Sequence, residues 1–185
     1  MCYIIGTKSY ELTYGTDQHS LIGYADADGA SQPHHHAISG YAFMLDGGAI
    51  SWSSKKQGLV TASTMEAEYV AATHAAKEAF WLRKLTGELF PTEPQLIPMY
   101  SDNEAAKNLA HNDNYHARTK HIDIQYHFIR EAIDNGFVSL DHCSTNVMTA
   151  DILTKAIPVF KVKIHVAGLG LQDHKNTQVM HITTL

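Results

Sequence analysis

The chain is short of most features that assign a protein to a class at a glance. It has two cysteines, Cys2 and Cys143, in 185 residues. They share no paired spacing, which argues against a disulfide framework and against a cysteine zinc site. No apolar run approaches the length of a membrane span, and the N-terminal MCYIIGTKSYEL has no basic region leading into a long apolar core. The expectation is an intracellular protein, or a fragment of one, that is neither secreted nor held in a membrane. Basic charge is scarce too: the net charge is −5 with thirteen histidines counted neutral, a poor fit to a protein that grips nucleic acid by charge alone. That scarcity does not exclude a nuclease, because bound divalent cations would offset a cluster of carboxylates. What remains is ordinary for a globular chain, with 44% hydrophobic residues and a length that fits one domain with tails.

The pattern along the chain predicts a mixed sheet covered by helices. SLIGYADADGA alternates as a strand with Ile22, Tyr24, Asp26 and Asp28 on one face. SQPHHHA is a loop, and ISGYAFMLDGGAISWSS reads as two strands joined at Asp46-Gly47-Gly48, a hairpin signal. A helix over Ala62–Leu89 ends before FPTEPQ, where two prolines break it. LIPMYSDN is a short strand and EAAKNLAHN a short helix. HARTKHIDIQYHFIREAIDNG holds a further helix with Ile122, Tyr126, Ile129 and Ile133 on one face and Asn135-Gly136 as its stop. FVSLDHC is the next strand and TADILTKAI a final short helix. From Pro158 the pattern weakens, and LQDHKNTQVMHITTL reads as a frayed tail. Short turns let the early strands pair antiparallel, whereas the later ones need crossover helices and should run parallel.

One stretch poses a chemical question. In ASTMEAEYVAATHAAKEAFWLRKL, Glu66 and Glu68 are two positions apart, roughly 200° of helical rotation, so they cannot face the same way. Ser63-x-x-Glu66 has the spacing of a capping box. Helical steps from Glu66 reach Thr73, Lys77 and Lys84, a largely polar stripe. Steps from Glu68 reach Ala71, Ala72, Ala75, Ala79 and Leu82, small apolar residues suited to lying against a sheet. Glu68 therefore sits at the end of the packing face, where a lone carboxylate is costly. Either a basic side chain meets it or it helps to hold a metal. Three more acids fall where a sheet and its helices can bring them together: Asp26 in the first strand, Asp102 at the end of the fourth and Asp151 at the start of the last helix.

SWSSKKQ, STMEAEYVAA, YSDNEAAKNL, RTKHIDIQYHFIRE and ADILTK, in this order, resemble the ribonuclease H domain of copia-type long-terminal-repeat retrotransposon polyproteins, from about IGTKSYELTYG through HVAGLGL. The resemblance implies an α/β ribonuclease H-like fold, a five-stranded mixed sheet flanked by helices. It implies metal-dependent hydrolysis of the RNA strand of RNA–DNA hybrids, with a reverse transcriptase domain as neighbour in a parent polyprotein. It also implies a set of Asp, Glu, Asp and Asp holding two Mg2+ ions, with Mn2+ as a substitute; matched motif by motif these are Asp26, Glu68, Asp102 and Asp151. Magnesium prefers oxygen ligands, and two such ions roughly 4 Å apart suit in-line displacement at a phosphodiester. On the same resemblance, residues 1–16 are expected to be a remnant of the preceding polymerase connection segment, 17–158 the ribonuclease H domain and 159–185 a C-terminal tail. The chain is then a fragment, a relic gene or an excised domain.

Each acid also has a plainer role open to it. Asp28 projects from the same strand face as Asp26 and rivals it as first ligand; Asp102 can cap a following helix, and Asp151 suits the first turn of one. Lys55 and Lys56 are candidate phosphate contacts, or lysines that discourage edge pairing, and Arg118 and Lys120 are similarly placed candidates. The histidines fit a metal poorly. His34-His35-His36 reads as a solvated loop, and His121 and His127, six apart on a helix, share no face. His142 lies upstream of Asp151, in the region where many cellular ribonucleases H have a proton-shuttling histidine. Departures from the family flank the site, in ADADGASQPHHHAISGY and LDHCSTNVMTAD. They leave a decayed domain that keeps the fold without cutting as the rival reading. STMEAEY and the long Glu-bearing helix argue against a DNA-cutting, integrase-like nuclease.

Overall fold

A computed structural model describes residues 2–15, 20–28, 36–58, 60–61, 63–90, 96–104 and 120–173. Its main sheet has five strands in the order β4-β3-β2-β5-β6, formed by β2 (Ile22–Asp28), β3 (Ile38–Leu45), β4 (Gly48–Lys56), β5 (Ile97–Ser101) and β6 (Val138–His142). The first three pair antiparallel, and β5 and β6 add in parallel, as the connection lengths require. Between β3 and β4, Asp46 and Gly47 both adopt positive φ (52° and 85°). That is the backbone of a tight two-residue turn whose twist matches the strands it joins.

Helix α2 (Thr64–Leu89) lies across one face of the sheet. Its N-cap is Ser63, whose hydroxyl accepts from the Glu66 amide at 3.2 Å. Ala72, Ala75, Ala76, Ala79 and Leu82 are buried in the main core with Ala25, Phe43, Met99 and Leu140 of the strands. Small residues at these positions let the helix axis approach the sheet closely. The other stripe is less polar than its composition suggests. Lys77 and Lys84 are exposed, but Thr73 is fully buried, and its hydroxyl donates to the carbonyl of Gln125 at 3.2 Å. Helix α3 (Lys120–Asp134) covers it, with Tyr126 and Ile129 buried and Ile133 packed against the same core. A stripe read from one helix alone cannot register a second helix laid over it. The helix expected over EAAKNLAHN lies almost wholly outside the described residues.

The region after Pro158 differs from its weak pattern. Helix α4 (Asp151–Thr154) is followed by α5 (Val159–Gly168) and by β7 (Leu171–Asp173). β7 pairs antiparallel with β1 (Tyr10–Leu12), just after the short α1 (Cys2–Thr7), to make a second, two-stranded sheet. Thr13 and Ala49 donate backbone hydrogen bonds to Gly170 and Leu169, and Tyr14 Oη donates to the Ala49 carbonyl at 2.8 Å, which ties this ribbon to the β3–β4 hairpin. So the stretch from Leu171 to Asp173 is a strand and not part of a frayed tail, and part of 1–16 is its partner. The sequence hid this for two reasons: α5 leaves Val159, Phe160 and Ile164 exposed, and β7 finds its partner at the opposite end of the chain, which no local window contains. No described helix is long and apolar enough to cross a membrane.

Candidate active site

Asp26 and Asp102 meet because their strands are neighbours. β2 and β5 are parallel with Tyr24 opposite Tyr100, and each aspartate lies two residues further along its strand direction. Asp26 pairs with Gly40 of β3 and so points to the same face of the sheet. A Cβ at Gly40 would come within 2.6 Å of the Thr154 methyl and 3.0 Å of Leu153 Cβ, so a bare backbone there is what lets α4 approach this face. That approach delivers Asp151, the first residue of α4. One carboxylate oxygen from each of Asp26, Asp102 and Asp151 lies within 4.8 Å of the others, and no other such group occurs among the described residues. Glu68, in the first turns of α2, is close enough for the charges of Asp26 and Asp102 to act on its carboxyl. Asp28 is exposed at the end of β2, outside this group.

Several of these carboxylates have one oxygen engaged by a donor or a cation and another left without a hydrogen bond. Thr154 Oγ1 donates to Asp26 Oδ2, and Lys155 Nζ lies 3.6 Å from the same oxygen. Lys155 Nζ also lies 2.9 Å from Asp151 Oδ1. The amide of Ala27 donates to Glu68, and Thr145 Oγ1 donates to Asp102 Oδ2 at 3.1 Å. Meanwhile Asp26 Oδ1, Glu68 Oε2 and Asp151 Oδ2 are buried without a hydrogen-bond partner, in residues only 1%, 7% and 0% exposed. Unpaired buried carboxylate oxygens are costly, and two of the three acids that carry them, Asp26 and Asp151, belong with Asp102 to the close group that fits a cation.

The charge balance agrees. Burial, with the charges of Asp151 and Asp102 adding to it, pushes the Asp26 carboxyl up to about 6 against the opposing pull of Thr154 and Lys155. Burial first, then Asp26 and Asp102, pushes Glu68 up to about 9. Burial alone would lower the Lys155 ammonium, but its bond to Asp151 and the nearby Asp26 charge outweigh that and raise it. The Cys143 thiol is pushed up to about 11 by burial and by Asp102, Asp151 and Asp26, which keeps it protonated and unsuited to nucleophilic attack. Oxygens bound to one magnesium ion are at most about 4.2 Å apart, twice a bond of ~2.1 Å. A spread within 4.8 Å therefore needs only small movements to accept a hard divalent ion.

The basic candidates lie elsewhere. Lys55 and Lys56 are exposed on β4, separated from Asp26 by β3. Lys55 lines a shallow cavity of about 240 Å3 with His74 and Lys77 of α2; burial, then the charges of Lys77 and Lys55, holds His74 below its ordinary value. Arg118, His34, His35 and His116 lie outside the described residues, and Lys120 and His121 are described only as part of the α3 backbone. His127 is exposed, 3.6 Å from Asp123. His142 is exposed at the end of β6, opposite Ser101. Sequence reasoning missed Thr145, Thr154 and Lys155. A signal for the last was present, since Lys155 stands four residues after Asp151 in ADILTK, the helical spacing at which opposite charges meet.

No profile of a known protein family matches the chain. Individual relatives do. It is 43% identical over 173 residues, 93% of its length, to the retrovirus-related Pol polyprotein from transposon TNT 1-94 of Nicotiana tabacum. It is 41% identical over 141 residues to the corresponding polyprotein of transposon RE1 of Arabidopsis thaliana. The chain spans only 13% and 10% of those relatives. Among solved structures it resembles LC11-RNase H1 isolated from compost, with a TM-score of 0.57, 19% identity, and coverage of 74% of this chain and 94% of that one. The same enzyme in complex with an RNA/DNA hybrid matches with a TM-score of 0.55 at 17% identity, over 73% of this chain and 94% of that one. At such identities the likeness establishes a shared fold.

Proposed function

We infer that this chain, which belongs with the retrovirus-related Pol polyproteins of copia-type transposons and has the ribonuclease H fold, hydrolyses the RNA strand of RNA–DNA hybrids at a divalent-metal site formed by Asp26, Glu68, Asp102 and Asp151. The observation that carries this reading is the group of Asp26, Asp102 and Asp151, whose carboxylate oxygens lie within 4.8 Å of one another, with buried oxygens of Asp26, Asp151 and the nearby Glu68 left without a hydrogen bond. Bound there, a pair of Mg2+ ions, or Mn2+ in their place, would supply an activated water and stabilisation of the leaving 3′ oxygen. The chain's own residues supply the rigid frame. Asp26 stands on β2 and Asp102 directly after the end of the neighbouring β5, Thr154 and Thr145 each hold one oxygen of these acids in place, and burial keeps bulk water from Glu68 and Asp151.

Selectivity for RNA would come from contacts to 2′-hydroxyls, and Lys55, Lys56, Arg118 and Lys120 are offered as phosphate contacts. The solved complex of LC11-RNase H1 with an RNA/DNA hybrid supports the hybrid as substrate class. The Pol relatives support a reverse transcriptase domain as neighbour and a working place inside the cell. The test is cleavage of a labelled RNA–DNA hybrid in Mg2+, beside a chelator control and Asp102→Asn. Cutting of the RNA strand that both controls abolish is the expected result. A folded protein that cuts in neither Mg2+ nor Mn2+ would overturn the enzyme reading and leave a domain that keeps the fold alone.

A further inference from the structure

Lys155 is the one basic side chain seen to touch the acid cluster among the described residues, and it touches it twice. Its ammonium sits 2.9 Å from Asp151 Oδ1 and 3.6 Å from Asp26 Oδ2. Its side chain is 29% exposed, whereas the two carboxylates are 0% and 1% exposed. Lys155 therefore enters from the solvent side and closes over charges that water does not reach. The oxygens it takes are also specific. Asp26 Oδ2 is the oxygen that Thr154 already holds, while Asp26 Oδ1 and Asp151 Oδ2 stay without partners. One cation thus holds one side of two acids and leaves the other side open.

We propose that Lys155 is the resident counter-ion of this site: it stands in for part of the metal charge when no metal is bound, allows the acids to be buried without it, and lowers the affinity for the metal. The physical basis is that several buried carboxylates around one point repel each other, and a buried charge without a partner destabilises a fold strongly. Lys155 offsets part of that repulsion through two acids at once. Its fixed positive charge also opposes any cation arriving at the open oxygens. Lys155 is a positioning residue in this account, since it acts through Asp26 and Asp151. The proposal rests on the reading of the cluster as a metal site.

The test uses the whole chain as wild type, Lys155→Met and Lys155→Arg. Urea unfolding is followed by circular dichroism in chelator and across an Mg2+ titration, and Mg2+ binding is measured by calorimetry. In chelator, the Met variant should unfold at lower urea than wild type, while the Arg variant, which keeps the charge, should not. With Mg2+ the Met variant should recover most of the loss. Its Mg2+ dissociation constant should tighten on the order of tenfold, the scale of one like charge removed from a partly buried site. A Met variant that folds only when Mg2+ is present is the extreme of the same result. An unchanged midpoint in chelator, weaker Mg2+ binding, an Arg variant as unstable as the Met variant, or a Met variant that Mg2+ does not restore would each overturn the proposal. If wild type itself shows neither heat nor stabilisation with Mg2+, the metal-site reading falls with it; if wild type binds and Lys155→Met changes nothing, only the counter-ion falls.

Discussion

Replacing Glu68 by glutamine keeps the size of the side chain and removes a charge that the folded protein holds poorly. Burial, and then the Asp26 and Asp102 charges, push the carboxyl from its ordinary 4.5 up to about 9 in the fold. A group raised in this way leaves stability untouched below pH 4.5, where both states are protonated. Above it the unfolded chain releases the proton and the folded chain retains it, so stability falls with pH until the folded carboxyl also ionises. Each pH unit in that window costs about 1.4 kcal/mol, which reaches about 3 kcal/mol by pH 7. In chelator, then, Glu68→Gln should match wild type at pH 4.5 to within about 1 kcal/mol and exceed it by about 3 kcal/mol at pH 7. Asp26, raised to about 6, adds a slope of the same sign between its ordinary value and 6, but it does so in both proteins and cancels in the difference. Urea unfolding read by far-ultraviolet circular dichroism is the suitable assay, because both tryptophans, Trp52 and Trp81, are largely exposed and report little on the core. Added Mg2+ should narrow the gap by stabilising wild type more than the variant, which keeps the three aspartates but lacks the Glu68 carboxylate. A gap that does not widen from pH 4.5 to 7, or a variant less stable than wild type at pH 7, would refute the view that Glu68 is buried without sufficient compensation.

Asp102 is half-buried and held by a single threonine, so Asp102→Asn should leave the unfolding free energy in chelator within about 1 kcal/mol of wild type while abolishing hybrid cleavage; a variant that still cuts would remove Asp102 from the site. Gly40→Ala forces a Cβ to within 2.6 Å of the Thr154 methyl. It should destabilise the fold by about 1–3 kcal/mol and weaken Mg2+ binding as α4 is pushed from Asp26, an outcome that titration calorimetry reads directly. Lys55→Glu with Lys56→Glu, both on an exposed strand end, should raise KM for hybrid and flatten its dependence on salt while leaving kcat in place; an unchanged KM would assign these lysines to protecting the sheet edge.

The parts of this molecule legible in its sequence are those with a local period or a local stop. The choice of Glu68 over Glu66 as the inward carboxylate needed only the 3.6-residue repeat and the run of alanines that follows it, and the alanines are indeed buried against the sheet. The antiparallel and parallel halves of the sheet followed from connection lengths, and the β3–β4 turn from Asp46-Gly47-Gly48, of which Gly48 already opens β4. The burial of Thr73 has no local sign because its surroundings are set by α3, some fifty residues further on. The β1–β7 ribbon was missed for the same reason in stronger form. Where a residue's partner lies far along the chain, composition and periodicity carry no trace of it.

The acids and their supports differ in the same way. Four carboxylates in separate elements can be suspected of converging, because burial of even one of them needs an explanation. Thr154 has no such mark, being one threonine among many. What gives it a role is the absence of a side chain at Gly40, more than a hundred residues earlier, which opens the space through which α4 reaches β2. Lys155 stands between these cases, since its spacing from Asp151 was visible in ADILTK but its second contact, to Asp26, depends on that same close approach. The inner support of the site is thus a property of how two distant segments pack. Disturbing that packing at Gly40 should weaken metal binding by displacing Asp151 and Thr154 together, although Gly40 itself carries no group that could touch a metal.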